Sequence, residues 1–472
     1  MENLLLIAFL ACLFFSFGII VLTIVLAAAG QSLGIRRKYI QILLKVFEFG
    51  RRRINSYAAS ERDKHKQKYE EEGGSGDEGL PEMDNLSDTS QESENRVFTD
   101  SDQVIYRDIS ISALEGIKIP SQRPDYDLTF KKDFHVSDMM YFMKCGVEAI
   151  IQDDVTHRFT AEDLKSWNLL TRTDKGYQFI SVRLTILWWI GCLIRYGILL
   201  PFRFTLCIAG LLWLITSTFL IGYFPDGKHK RLLNRVSSLM AHRILCRAMS
   251  AVVTFNYLEH RPQNGICVAN HTSPLDVVIL SSDNCYAMVG QSHSGFLGVM
   301  QRALSRATSH IWFERSEIKD RLVVSKRMQE HVEDENKLPI LIFPEGTCIN
   351  NTSVMMFKKG GFEVTPVVYP VAVKYDRRFG DAFWNSSKDS MVYHIFRIMT
   401  SWALVVDIWY LPPMKRQDGE DSVSFASRVK AEIARQGGLV DLEWDGQLKR
   451  MKAKETWKSS SQRDYSKLLK VD

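Results

Sequence analysis

No two of the eight cysteines stand in a C-x-x-C pair or at any other spacing typical of metal ligands. The sequence therefore gives no basis for a zinc site, and we expect neither a metal ion nor an organic cofactor. Three of the cysteines, Cys12, Cys192 and Cys207, lie in apolar segments. This distribution fits a reducing, cytosolic environment better than a disulfide framework.

A large excess of charge of one sign is also missing. The chain has 60 Lys and Arg residues against 55 Asp and Glu residues, a formal net charge of +5 over 472 residues, and we expect no nucleic-acid partner. The charges are unevenly spread, since residues 70–102 contain twelve acidic residues and one basic residue. Such a stretch cannot bury a core, so residues 61–106 are predicted to form an acidic disordered linker.

No basic segment precedes the first apolar run and no clear cleavage site follows it, so residues 1–30 are interpreted as a membrane anchor and not as a removed signal peptide. Leu4–Ala29 carries no charge and is long enough to cross a bilayer. Basic residues follow it between Arg36 and Arg53, which predicts the cytosolic side for residues 31–60. The helical spacing of apolar residues in this segment fits an amphipathic helix on anionic lipid and a core-packed helix equally well.

A second apolar stretch covers residues 183–223 and is interrupted by Pro201-Phe202-Arg203. The interruption predicts a membrane hairpin, formed either by two spans or by a re-entrant loop in one leaflet. Both topologies leave residues 107–182, and the chain after residue 223, on the cytosolic side.

Strand and helix patterns alternate after Tyr223, which indicates an α/β domain with helices layered around a largely parallel sheet over residues 224–450. A polar basic tail follows at residues 451–472. Strands are predicted near residues 252–258, 265–269, 286–289, 311–313, 339–343, 367–374 and 403–410. Helices are predicted near residues 232–250, 275–282, 318–335 and 422–435.

His271 and Asp276 stand five positions apart where a predicted strand passes into a predicted helix. A histidine held by a carboxylate is the usual form of a neutral, oriented general base near pH 7. Ser273 and Pro274 favour a helix start at this point, where free backbone N–H groups favour anions. A capping histidine and a first-turn aspartate without chemistry are the alternative interpretation of the pair taken alone.

A second motif, Phe343-Pro344-Glu345-Gly346-Thr347, directly follows a predicted strand. It places the Glu345 carboxylate, the Gly346 backbone without a side chain and the Thr347 hydroxyl at the carboxyl edge of the sheet, where ligands of α/β proteins usually bind. Between the two motifs, Arg315 follows the apolar run Ile311–Phe313 and is suited to bind a phosphate with paired donors. A fourth block, residues 365–371, is a β-branched run with prolines at positions 366 and 370.

In this order, the four blocks resemble the motifs of the glycerolipid acyltransferase superfamily, and the match is very specific as a set. Residues 350–360 and 384–388 resemble one branch, the endoplasmic-reticulum glycerol-3-phosphate acyltransferases. The chain departs from lysophosphatidate acyltransferases at Cys348, where those enzymes often carry Arg. Acceptor identity is therefore less firmly implied than the type of reaction.

The resemblance implies transfer of an acyl group from acyl-CoA to the sn-1 hydroxyl of glycerol 3-phosphate, which gives lysophosphatidic acid and CoA as the first step of glycerolipid and triacylglycerol synthesis. It implies that His271 is the general base, oriented by Asp276, and that no acyl-enzyme forms. Backbone N–H groups at the helix start are expected to stabilise the oxyanion. The residues implied to hold the acceptor are Arg315, Glu345, Gly346, Thr347 and, secondarily, Lys358; the structural positions of the motifs are Asn270, Pro274, Pro344 and Pro370.

The same resemblance implies an enzyme of the endoplasmic-reticulum membrane whose catalytic domain faces the cytosol, with the bilayer as a partner. Three other functions are weighed against it. Acylation of lysophosphatidate or another lysophospholipid uses similar motifs, but Cys348 disfavours it. A serine hydrolase is suggested by the sequence around Ser292, although its G-x-S-x-G pattern requires Gly at position 294, where the chain has Ser. An inactive membrane scaffold would have no use for both the His/Asp pair and the Pro-Glu-Gly-Thr turn.

Overall fold

The computed structural model describes residues 2–31, 34–71, 157–161, 167–170, 182–292, 295–313 and 318–449. The strands are β1 (Ala251–Asn256), β2 (Ile266–Ala269), β3 (Ala287–Gln291), β4 (Ile311–Phe313), β5 (Ile340–Ile342), β6 (Ser353–Val354), β7 (Val367–Asp376), β8 (Leu404–Tyr410), β9 (Met414–Lys415) and β10 (Val440–Asp441). The α-helices are α1 (Glu2–Ala28), α2 (Ile35–Glu71), α3 (Val182–Leu193), α4 (Leu200–Ile221), α5 (Lys228–Ala248), α6 (Leu275–Leu280), α7 (Gly295–Ala307), α8 (Ile318–Val332), α9 (Gly360–Val364), α10 (Met391–Met399) and α11 (Ser422–Gly437).

The chain divides into two compact units, and the sheet lies in the unit made of residues 1–40, 107–164 and 192–472. The other unit comprises residues 41–106 and 165–191. Within this second unit, the ring of Trp167 lies against Gly50 of α2, where a Cβ atom would come within 2.1 Å of the ring. Any larger residue at position 50 would therefore displace the tryptophan.

Eight strands form one sheet in the order β1-β8-β7-β2-β5-β3-β4, with β9 paired to β7. The strands from β7 to β4 along this order run parallel to one another, and β7 meets β8 in the antiparallel direction. Strands β6 and β10 form a separate parallel pair. The predicted α/β domain with a largely parallel sheet is confirmed, and all seven predicted strands are present.

Two layers of helices cover the two faces of the sheet. Because successive side chains of a strand point to opposite faces, Cys267 and Ala269 of β2 join one core, and Ile266 and Val268 join the other. The first core is completed by side chains of α5, α6 and α10, and the second by those of α8, α9 and α11. Each large apolar side chain buried in these cores contributes roughly 1.5–3 kcal/mol.

The four predicted helices are present as α5, α6, α8 and α11, but α7, α9 and α10 were not predicted. Helix α10 is rich in β-branched and aromatic residues, which have modest helix propensity. Its stability comes from packing of its inner face, where His394 and Ile398 are buried. The formation of such a short helix depends more on the surface that it packs against than on the helix propensity of its own residues, so the sequence pattern does not predict it.

The predicted membrane hairpin is wrong, because the chain does not turn at Pro201-Phe202-Arg203. Helix α3, a π-helical segment (Ile194–Leu199) and α4 follow one another without a break, and together form one 40-residue helix apolar enough to cross a membrane. Pro201 lies in the first turn of α4, directly after the change of hydrogen-bond register that the π-helical segment provides. At about 1.5 Å per residue this helix is about 60 Å long, roughly twice the thickness of a bilayer core.

The N-terminal apolar run forms α1, as expected of a membrane segment. Helix α2 continues to Glu71, beyond the boundary predicted at residue 60. Its apolar residues Ile35, Ile42 and Phe49, spaced by seven, are all exposed. The same helix also has buried apolar residues, Ile40, Leu43, Phe47 and Ile54, so the structure fits a packed helix as well as one on lipid. Most of the predicted acidic linker and the polar tail lie outside the described residues.

A buried arginine joins α4 to the α/β domain. The side chain of Arg203 has 0% exposure. It donates hydrogen bonds to Ser250 Oγ at 2.9 Å and to the backbone oxygens of Met399, Ser401 and Trp402 at 2.7, 2.5 and 2.5 Å. These carbonyls stand at the C-terminal end of α10, where unpaired oxygens and the helix dipole favour a cation. Arg195, in the π-helical segment, adds a bond to Thr400 O at 3.1 Å.

Replacing Arg203 with Met should destabilise the protein strongly, because three buried backbone carbonyl oxygens lose a charged donor in one step. We expect a loss of about 3 kcal/mol, which lowers the thermal midpoint in detergent by about 6–12 °C. The matched control is Arg435→Met, which removes an exposed Arg–Glu432 pair and should cost less than about 0.5 kcal/mol. Equal midpoints for the two variants would contradict the structural role of Arg203.

Candidate active site

The two principal motifs meet because β2 and β5 are parallel neighbours. Val268 lies opposite Ile342, so His271 and Glu345 leave the sheet at the same carboxyl edge. The backbone N–H of His271 donates to Glu345 Oε2 at 2.7 Å. The two motifs are therefore parts of one site.

Asn270 fixes the other side of the histidine to β7. Its side-chain amide accepts from Val373 N at 2.8 Å and donates to Val373 O at 2.9 Å. Strand β7 also carries Pro370, which lies opposite Val268 of β2 and whose carbonyl accepts from Leu411 N at 3.0 Å. The end of β2 is thus held between β5 and β7.

The Asp276 carboxylate orients the His271 ring. Its Oδ2 atom lies 2.9 Å from His271 Nδ1 and also accepts the N–H groups of Thr272 and Ser273 at 2.8 and 2.9 Å. The carboxylate is completely buried, and a buried charge is stable only when hydrogen bonds satisfy it. With Nδ1–H donated to the carboxylate, the neutral imidazole carries its lone pair on Nε2.

Tyr375 completes the set of donors around Asp276, and it was not among the predicted site residues. Its hydroxyl donates to Asp276 Oδ1 from a position 99 residues away in β7. Burial, together with the neighbouring carboxylate, raises the pKa of Tyr375 well above its ordinary value, so the phenol keeps its proton and remains a donor. The only available signal was the alternation of β7, which places residues 371, 373 and 375 on the face that carries α6.

The expected oxyanion site at the helix start is wrong. Helix α6 has only six residues, and the N–H groups at its start and in the loop before it already have hydrogen-bond acceptors within the site. The N–H of Leu275 donates to Ser273 Oγ at 3.3 Å, and that of Asp276 donates to Ser273 O at 3.0 Å. Since His271, Thr272 and Ser273 donate to the two carboxylates and residue 274 is proline, this loop orients the base and does not bind an anion.

Glu345 lies beneath the loop and not at its surface. The residue is 1% exposed, and its Oε1 atom accepts from Met355 N at 2.9 Å while Oε2 holds His271 N. Burial raises the pKa of Glu345 to about 8, although the two backbone N–H groups favour the charged form. Direct contact with a bound alcohol, as expected from the sequence, does not fit this position.

His271 has an unusual electrostatic environment. Burial disfavours the imidazolium, but the Cys348 side chain, which hydrogen-bonds the ring, and the Asp276 carboxylate outweigh it and raise the pKa of His271 well above 6.5. The ring of Phe343 stacks on the imidazole with the centroids 4.3 Å apart. Cys348, noted in the sequence only as a departure from related enzymes, is therefore a neighbour of the base.

The Pro-Glu-Gly-Thr turn brings a cation close to the site. Gly346 has a φ of +68°, and a Cβ atom there would lie 2.9 Å from Lys358 Nζ. Lys358 N donates to Pro344 O at 3.0 Å, which holds this lysine beside the turn. Gly346 is exposed and Thr347 half-buried. Arg315 lies outside the described residues, although β4, which precedes it, ends at Phe313 on the same sheet edge.

A cavity of about 380 Å³ opens beside His271. Apolar side chains form much of its wall, including Val277, Met288, Leu304 and Phe343. It extends to Thr218 of α4, so the apolar helix forms part of the enclosure. The cavity can hold a hydrocarbon chain with one end at the base.

Comparison with known proteins agrees with this site. The acyltransferase family model matches residues 252–374, which include His271, Asp276 and the Pro-Glu-Gly-Thr turn. Human glycerol-3-phosphate acyltransferase 4 is 51% identical over 452 residues, which cover 96% of this chain and 92% of that protein. Glycerol-3-phosphate acyltransferase 3 from Danio rerio is 58% identical over 338 residues, or 71% of this chain and 75% of that protein.

The crystal structure of the 1-acyl-sn-glycerophosphate acyltransferase PlsC from Thermotoga maritima aligns with 57% of this chain and 99% of its own at 16% identity; its TM-score of 0.38 is too low to support conclusions. The sequence relatives are acyltransferases, so the serine-hydrolase hypothesis at Ser292 and the scaffold hypothesis are wrong. With about half of all residues identical along nearly its whole length, the chain belongs to the glycerol-3-phosphate acyltransferase family.

Proposed function

We propose that this enzyme transfers a fatty acyl group from acyl-CoA to the sn-1 hydroxyl of glycerol 3-phosphate and releases lysophosphatidic acid and CoA. The observation that carries the proposal is the His271–Asp276 pair, whose histidine lines a largely apolar cavity. The names of the relatives support glycerol 3-phosphate as acceptor over lysophosphatidate or another lysophospholipid. This reaction is the first step of glycerolipid and triacylglycerol synthesis.

In the proposed reaction, Nε2 of His271 takes the proton of the acceptor hydroxyl as its oxygen attacks the thioester carbonyl. Asp276 stabilises the imidazolium that forms, as the aspartate does in serine-protease triads. The C–S bond then breaks, and the imidazolium returns the proton to the CoA thiolate. Because the thioester is already activated, no acyl-enzyme and no further cofactor are required.

The acceptor phosphate is proposed to bind Lys358 and Arg315. Lys358 Nζ lies beside Gly346, at the turn that faces the base across β5 and β2. Gly346 and Thr347 would contact the glycerol backbone, since both remain accessible. Glu345 is proposed as a positioning residue that fixes the backbone of His271, in place of the direct acceptor contact that the sequence implied.

The acyl chain is proposed to occupy the cavity, with the endoplasmic-reticulum membrane as its source and the catalytic domain on the cytosolic face. The apolar helix ending at Ile221, part of which encloses the cavity, supports membrane association. The six cysteines between residues 192 and 348 are all free, which fits a reducing compartment.

Replacing His271 with Ala should abolish base catalysis and lower the rate of acyl transfer to glycerol 3-phosphate by roughly 10²–10⁴-fold. The measurement is incorporation of radiolabelled glycerol 3-phosphate into lysophosphatidic acid in membranes with equal amounts of enzyme. The control is His260→Ala, which changes a half-buried histidine of the loop after β1. Activity retained in His271→Ala would contradict the role of His271 as the general base.

The acid limb of the pH–rate profile should lie above the ordinary histidine pKa of 6.5, because a base acts only when deprotonated and the pKa of His271 is raised. Activity, measured as kcat/KM, should therefore fall as the pH drops through this raised value. In Cys348→Ala the limb should move to lower pH, since one of the groups that raises the pKa is gone. The pKa of the acceptor phosphate does not change with that substitution. An acid limb at the same pH in both enzymes would therefore show that it reports a group other than His271.

Replacing Glu345 with Gln should lower kcat by about 10²-fold through displacement of the base, while the KM for glycerol 3-phosphate stays nearly unchanged. The reason is that the amide NH₂ of Gln must face one of the two backbone N–H groups that Glu345 accepts. Thr347→Val, at an accessible position of the same turn that is proposed to contact the glycerol backbone, should instead raise the KM. A raised KM with a normal kcat in Glu345→Gln would instead show that Glu345 contacts the acceptor directly.

A further inference from the structure

Helix α10 presents an apolar surface outward from the domain. Val392, Tyr393 and Phe396 are 78%, 54% and 46% exposed. The spacing of these residues places them on one side of the helix. Exposed large apolar side chains that cluster in this way mark a site of interaction.

The opposite side of α10 is fixed to the catalytic loop. His394 is completely buried, and its Nε2 atom lies 3.1 Å from the Oγ of Ser273. Ser273 lies between His271 and Asp276 and donates its own N–H to Asp276. One short helix therefore carries an apolar outer side and an inner side that touches the support of the base.

The C-terminal end of α10 is bonded to the long apolar helix. Arg203 and Arg195 bind the carbonyl oxygens at the C-terminal end of α10. Ile198 and Phe204, on the same helical stretch as these arginines, are 65% and 58% exposed. Two elements that are bonded to each other thus both carry exposed apolar side chains.

Charge at the edge of α10 favours a lipid headgroup over an apolar protein surface. The exposed Lys388 precedes the helix by three residues, and Arg397 lies on it, 3.6 Å from Asp389. Two cations against one carboxylate leave this edge positive. Cations that flank an apolar patch are typical of segments at a membrane–water interface.

We propose that Val392, Tyr393 and Phe396 of α10 insert into the headgroup region of the bilayer, next to the apolar helix that ends at Ile221. The insertion sets the height of the catalytic loop above the membrane, through the contact of His394 with Ser273. The site then receives acyl donors that are partitioned into the leaflet; this last consequence rests on the proposed acyl transfer.

The insertion is tested without reference to activity by photocrosslinking of the full-length enzyme in nanodiscs of phosphatidylcholine and phosphatidylserine. Benzoylphenylalanine replaces Val392 in one variant and Tyr393 in another, and phospholipid adducts are detected by mass spectrometry. The matched control is Val423 of α11, a valine that is 49% exposed and belongs to the helix layer on the other face of the sheet. We expect phospholipid adducts at 392 and 393 and none at 423.

Equal lipid adducts at 392 and 423, or adducts to protein alone at 392 and 393, would overturn the proposal.

A kinetic comparison tests the consequence of the insertion for the binding of acyl-CoA. Phe396→Glu should raise the KM for a long-chain acyl-CoA in nanodiscs by about tenfold, since the side chain no longer contributes its burial to docking, and Val423→Glu should not. If the lipid adducts form while neither variant nor the parent enzyme acylates glycerol 3-phosphate, the result supports the membrane insertion of α10 and contradicts the proposed function.

Discussion

A carboxylate without any exposure to solvent, that of Asp276, is the constraint on which the rest of the site depends. Removing such an ion from water costs several kcal/mol unless donors surround it. Its donors come from the His271 ring, two N–H groups of the loop and the Tyr375 hydroxyl of β7. Strand β2, helix α6 and strand β7 must therefore be in place together, and the base is oriented as a result of satisfying this one charge.

A second carboxylate, that of Glu345, supports the same loop from below in a different environment. Glu345 accepts only backbone N–H groups, from His271 and Met355, so it fastens β5 to β2 without touching the imidazole ring. Burial raises the pKa of Glu345 to about 8, whereas Asp276 helps to raise the pKa of the imidazole that it faces. Two acidic groups with different environments thus divide the tasks of holding the backbone and orienting the ring.

Local patterns were sufficient for the strands and for the positions of His271, Asp276 and the Pro-Glu-Gly-Thr turn, because strand ends and turn residues are adjacent in sequence. They were insufficient where the determining contact is distant. Tyr375 meets Asp276 across 99 residues, and the charge of Glu345 suggested an accessible side chain because its backbone partners cannot be read from sequence. Pro201 suggested a chain reversal, since the π-helical segment that accommodates it has no sequence pattern of its own.

Helix α4 separates the cavity from the outside by the thickness of one helix. Thr218 lines the cavity, while Leu220, two positions later, is 61% exposed. A hydrocarbon chain that passed through bulk water would lose about 0.8 kcal/mol for each methylene, whereas a chain that slides past this wall stays in apolar surroundings. Competition among acyl donors would then follow their abundance in the adjoining leaflet and not their concentration in solution, which makes the composition of the membrane a determinant of the product.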